Sequence, residues 1–109
     1  MRMWNVNPKK MCNRHLLGEH LEMHMFLGCL KKGTSIKGYI DKGLVEANNI
    51  LARHDELVRE MKVRGMNHNS GMLFYPYAEE NKGKVDVKEN ERELCKRCID
   101  CKRLLEERK

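Results

Sequence analysis

Apolar residues along this chain recur at a helical period. Met11, Cys12, Leu16, Leu17, Met23, Phe26, Leu27 and Leu30 are spaced to line one side of a helix. The run is bracketed by Asn7-Pro8, a capping residue followed by a proline that a first turn tolerates, and by Gly33. The spacing predicts a first helix from about Pro8 to Lys32. A second stripe, Leu44, Val45, Ile50, Leu51, Leu57, Val58 and Met61, predicts a helix from about Ile40 to Arg64-Gly65, where a basic last turn meets a terminating glycine. Leu94, Cys98, Cys101, Leu104 and Leu105 predict a third helix from Lys88 to Lys109. Met1 to Asn7 reads as extended or irregular, and Asn67 to Lys84 as polar and turn-rich. No segment reads as a strand and no repeat is visible. The expected fold is all-α, a compact three-helix single domain over residues 1–109, with long loops on one side.

Composition narrows the function. Charged residues make up 35% of the 109 and aromatics 6%, which suits a small helical protein better than a β-sandwich. Lys plus Arg outnumber Asp plus Glu by 22 to 16, a formal charge of +6, consistent with a basic face for a polyanion. No run approaches the roughly 20 apolar residues that cross a bilayer, and no leader pattern opens the chain. The expectation is a soluble, intracellular monomer with no membrane partner. Five cysteines, an odd number, argue against a closed secreted disulfide framework.

The segment richest in candidate chemistry is the first 22 residues. Met1-Arg2-Met3-Trp4-Asn5 leads to a helix reading His15-Leu16-Leu17-Gly18-Glu19-His20-Leu21-Glu22. An α-amino group titrates at roughly 7.7–8.0 in model peptides, so part of any such population is neutral near pH 7 and can form an imine with a carbon centre. His15, Glu19 and Glu22 share one helix face, so a carboxylate is available to accompany that amine. A second stretch runs Arg53-His54-Asp55-Glu56-Leu57-Val58-Arg59-Glu60-Met61-Lys62-Val63-Arg64-Gly65-Met66-Asn67.

These two stretches, in this order and spacing, resemble the pyrimidine dimer DNA glycosylase family of the endonuclease V type, which carries AP-lyase activity. The resemblance covers about residues 1–70. It implies a DNA repair enzyme that attacks C1′ of a damaged nucleotide with the Met1 amine, forms an imine and nicks the strand by β-elimination. It implies Glu22 as the catalytic carboxylate, and double-stranded DNA with damaged bases, pyrimidine dimers above all, as the substrate. Arg2, Arg14, His15, Glu19, Arg53, His54, Arg64, His68 and Tyr75 are the expected substrate- and DNA-contacting residues. The sequence departs from the family where arginines flank the catalytic glutamate: Leu21 and Met25 stand there instead. No aromatic, lysine-containing tail ends the chain, and Phe74-Tyr75-Pro76-Tyr77 is the candidate substitute for stacking on bases.

No cofactor and no metal are expected. His20 and His24 form an i, i+4 pair able to hold a metal, but the sequence shows no obvious third ligand. Cys95, Cys98 and Cys101 are metal candidates, alone or with Cys12 or Cys29, yet their spacing on one continuous helix suits a single ion poorly. Two other readings stand beside the repair enzyme. One is a helical nucleic-acid-binding protein without catalysis; the other is a Cys-rich metal-binding interaction module.

Overall fold

The structure is a computed structural model, and it describes residues 1–68 and 83–107. Among these residues there are helices and turns and no strand. The elements are α1 (Asn13–Lys31), α2 (Lys37–Asp41), α3 (Ile50–Val63), α4 (Val87–Arg97) and α5 (Ile99–Glu106), with short 3-10 turns at Pro8–Lys10 and Ala47–Asn49. The all-α expectation holds; each of the three predicted helices is subdivided.

The subdivisions have local causes. Asn7 accepts a hydrogen bond from the Lys9 amide and starts a 3-10 turn, but Met11 is extended, so α1 begins only after Cys12. The second helix is interrupted at Gly43, whose φ of 71° is the left-handed conformation that side chains resist. The third is interrupted at Cys98, which is extended (φ −141°, ψ 114°) and serves both as the end of α4 and as the cap of α5. The predicted helix ends at Gly33 and at Arg64-Gly65 are observed.

Helices α1 and α3 pack together, and α4 and α5 form a second pair. The core between them holds Leu16, Met23 and Phe26 of α1, Ile50, Leu57 and Met61 of α3, Leu94 of α4, and Cys98 and Cys101. The N-terminal segment contributes as much as a helix does: Met3, Trp4, Val6 and Met11 are all buried in the same core. Full burial of such a side chain is worth about 1.5–3 kcal/mol, so the segment is anchored although it has no regular structure. Leu17, read as a core position, is instead 44% exposed. It lies on a stripe with Leu21 and Met25, at 60% and 47%. Gly83 lies so close to Val45 that a Cβ there would stand 2.2 Å from the Val45 carbonyl oxygen, which fixes the approach of the chain to α4.

An ion pair crosses the core. Arg53 of α3 donates from Nε and Nη2 to the two carboxylate oxygens of Glu19 on α1, at 2.5 and 2.8 Å, and both side chains are essentially without solvent contact. Arg53 also donates to Glu56 Oε1 at 2.6 Å and to Met11 Sδ at 3.4 Å. Burial pushes the Glu19 carboxyl up from its ordinary value, and the guanidinium opposes that push. Truncating one partner strands a buried charge. Arg53→Ala is expected to lower stability by about 3–5 kcal/mol, read as a shifted midpoint in urea denaturation; a change below 1 kcal/mol would show that the pair does not hold α1 to α3.

Candidate active site

The first residues are held from three sides. The Met3 amide donates to the Leu44 carbonyl at 2.6 Å. Asn90 of α4, itself buried, donates from Nδ2 to the carbonyls of Met3 and Trp4 at 3.3 and 2.7 Å. Its Oδ1 accepts from Arg2 Nη2 at 2.5 Å. The Arg2 guanidinium lies over the Trp4 ring, 4.0 Å from its centre, with Arg97 on the same ring at 5.6 Å. Burial, and then the charge of Arg97, lower Arg2 from its ordinary value.

This anchoring brings the chain's first nitrogen to α1. The Met1 nitrogen is 3.8 Å from Glu22 Oε1, and the Arg2 amide donates to that same oxygen at 3.1 Å. The Met1 side chain is 14% exposed and that of Glu22 27%, so the pair sits at the protein surface without being fully open to it. An amine and a carboxylate at this separation can stabilise a developing cation and pass a proton.

The other residues singled out from the sequence have different fates. Arg14 is solvent-exposed and 3.9 Å from Asp100. Arg53 and Glu19, expected to face DNA, are corrected by their burial: each satisfies the other inside the core. Arg64 is likewise engaged, donating to Glu60, Asn13 and the Pro8 carbonyl at 2.8, 2.9 and 3.0 Å, so it fastens the end of α3 to the N-terminal turn. His15, His54 and His68 belong to two side-chain clusters that do not include Glu22. Tyr75 and the rest of Phe74-Tyr75-Pro76-Tyr77 lie outside the described residues.

The first cluster joins Cys12, His15, Cys98 and Cys101, and the second joins His20, His24, His54 and His68; in each, the potential ligand atoms all lie within 4.8 Å of one another. Both correct the sequence reading. The cysteine helix is not continuous, because α4 stops at Arg97, and the break lets Cys98 and Cys101 meet Cys12 while Cys95 stays outside the group. The His20–His24 pair does have further partners, supplied by α3 and the segment after it. Burial pushes the Cys101 thiol up to about 12. Burial, then the neighbouring imidazoles, pushes His20 down to about 4, so it is neutral at physiological pH.

Asn90 is the residue that sequence reasoning missed. It is an asparagine in the middle of a charged helix, and only its complete burial among backbone carbonyls distinguishes it.

The described residues thus form a helical protein that holds its first nitrogen against a carboxylate of its first long helix. The family model for pyrimidine dimer DNA glycosylase matches residues 1–73, and the chain belongs to that family. Membership makes it a DNA repair glycosylase with damaged DNA as its substrate. No curated protein and no solved structure matches the chain. No helix among the described residues is long and apolar enough to cross a membrane.

The anchoring of the first residues is directly testable. Asn90→Ala is expected to cost about 1–3 kcal/mol, the usual penalty for orphaning buried backbone groups. It should also accelerate hydrogen exchange in the N-terminal peptide, measured by mass spectrometry. Unchanged exchange in that peptide would mean that Asn90 does not hold it.

Proposed function

We propose that this protein is a glycosylase with AP-lyase activity on pyrimidine dimers in duplex DNA, with the Met1 amine as nucleophile and Glu22 as its acidic partner. The observation that carries the reading is the 3.8 Å separation between the Met1 nitrogen and Glu22 Oε1, in a chain that belongs to a glycosylase family.

The chemistry follows from those two groups. The damaged nucleotide is first turned out of the stack, which costs least where the lesion has already weakened it. The C1′–N bond then breaks, with positive charge developing on the sugar, and the Glu22 carboxylate stabilises that charge. The amine lone pair forms the new C1′–N bond, the base leaves and takes up a proton, and opening of the sugar ring gives a protonated imine. Loss of a C2′ proton to a base, for which Glu22 is the nearest carboxylate, sends the electron pair toward C3′ and expels the 3′ phosphate. Water finally releases the sugar and regenerates the amine.

The environment supports this sequence. The hydrogen bond from the Arg2 amide holds the Glu22 carboxylate in place, and such pre-set geometry removes part of the barrier. The cations Arg2 and Arg97 lie beside the N-terminal segment, on the Trp4 ring. Arg14 and the basic residues of α4 and α5 are the remaining candidates for phosphate contact, since Arg53 and Arg64 are committed elsewhere. Beside Glu22, the exposed Leu21 and Met25 offer apolar contact to an unstacked base where the family has arginines.

The test is borohydride reduction during reaction with dimer-containing or abasic duplex. A covalent protein–DNA adduct is expected, mapping to the first residue by peptide mass. Glu22→Gln should reduce base release by about 10²–10⁴-fold, the range for a positioned acid–base group, while DNA affinity stays near that of the wild type. The absence of any adduct on either substrate, or an adduct at a lysine, would end the N-terminal imine mechanism.

A further inference from the structure

Cys12 and Cys98 occupy equivalent positions: each is the residue just before a helix, α1 and α5 respectively. His15 and Cys101 each follow three residues later, on the first turn. Two ligand pairs, each folded over a helix start, therefore face one another. Three of the six separations in this group are close to the edges of a zinc tetrahedron, and all six are within 4.8 Å. With Zn–S near 2.3 Å and Zn–N near 2.0–2.1 Å, the edges of such a site are about 3.8 Å between sulfurs and about 3.5 Å from sulfur to nitrogen. Here Cys12 Sγ and Cys98 Sγ are 3.7 Å apart, Cys12 Sγ and His15 Nδ1 3.2 Å, and Cys101 Sγ and His15 Nδ1 3.6 Å.

Backbone amides are aimed at two of the sulfurs. The Cys12 amide donates to Cys101 Sγ at 3.3 Å and the Cys101 amide to Cys98 Sγ at 3.5 Å. Two helix N-termini point their positive ends at the group. Cysteines used merely as small apolar residues would need neither the amide donors nor an imidazole nitrogen turned to two sulfurs at once.

We propose that Cys12, His15, Cys98 and Cys101 bind one zinc ion in a closed structural site. Three thiol protons leave as the ion takes three thiolates and one neutral imidazole. The ion ties α5, which lies outside the family match, to the start of α1. Through His15, whose ring meets Trp4 edge-on at 6.1 Å, it also braces the segment that carries Met1.

Zinc in the chain purified without added metal, and the absorption spectrum of the cobalt(II)-substituted chain, test this site. A thiolate-to-cobalt charge-transfer band is expected. It should be lost in Cys98→Ser with Cys101→Ser and kept in Cys29→Ser and Cys95→Ser. A wild-type chain that binds cobalt without that band, a band that survives the double change, or a native Cys12–Cys98 disulfide would overturn the proposal. X-ray absorption of the zinc-loaded wild type provides a reading that needs no variant: sulfur neighbours support the site, and nitrogen or oxygen neighbours alone exclude it.

A different observation carries a second site. His20 and His24 lie one turn apart on α1, His54 is on α3, and His68 follows α3. The Nε2 atoms of all four rings are shielded from solvent and have no hydrogen-bond partner. A buried polar nitrogen left unpaired costs free energy, and ring stacking alone does not require the same nitrogen of four rings to be buried unpaired. His54 Nδ1 is 2.9 Å from Asp55 Oδ1. A ring N–H donated to that carboxylate leaves Nε2 as a lone pair, the arrangement usual behind metal-bound histidine. We infer that the four imidazoles bind a second zinc ion, which fastens the segment after α3 to α1.

His20→Asn with His24→Asn should lower cobalt uptake by one ion per chain and leave the charge-transfer band intact. Zinc X-ray absorption on wild type should show nitrogen neighbours in excess of the one that the cysteine site supplies. Uptake equal to that of wild type in the histidine variant, or a wild-type chain whose whole metal content disappears with Cys98→Ser and Cys101→Ser, would remove the second ion and leave the first standing.

Discussion

The buried contact between Arg53 and Glu19 sets the frame on which the rest is built. It fixes the rotation of α1 against α3, because a two-point guanidinium–carboxylate contact tolerates little sliding or turning. With that rotation set, Glu22 emerges three residues further along the same face, where the first residues of the chain can reach it. His20 and His24 lie on a neighbouring face and meet His54, the residue after Arg53. Cys12 and His15, at the start of the helix, meet α5. One helix thus serves an amine–carboxylate pair and two ligand clusters. A buried ion pair adds little net stability over apolar packing; its effect here is to select one arrangement.

The N-terminal segment shows how an irregular stretch is held in place. Its backbone groups would normally need water, and here Leu44, Asn90 and Glu22 take that part. Its side chains Met3, Trp4 and Val6 enter the core and supply the anchoring energy. Asn90 therefore acts on the candidate nucleophile from the far end of the sequence, beyond the stretch that the family model covers. The helices α4 and α5 are as much a part of the candidate site as α1, though they lend it no reacting group.

Arginine use illustrates how a charged residue changes role with context. Arg53, Arg64 and Arg14 read alike in the sequence as candidates for phosphate contact. In the fold, Arg53 is internal, Arg64 joins α3 to the N-terminal turn, and Arg14 remains in solvent. Charge composition reports how many cations a chain has. Desolvation and hydrogen-bond geometry decide which of them a partner can touch.

Helical period, the glycine stops at Gly33 and Gly65, and the Met1, Arg2, His15, Glu22 spacing were legible in the sequence, because each depends on local geometry or on residues near one another in the chain. The family followed from the same local spacings. The break at Cys98 was not legible, since no glycine or proline marks it and the extended residue meets Cys12, 86 positions away in the chain. Nor was the convergence of His54 and His68 on His20 and His24, or the role of Asn90, because each joins residues dozens of positions apart. Local periodicity determined which residues form helices; only the tertiary structure, by packing α1 against α3 around a buried ion pair, decided which side chains meet.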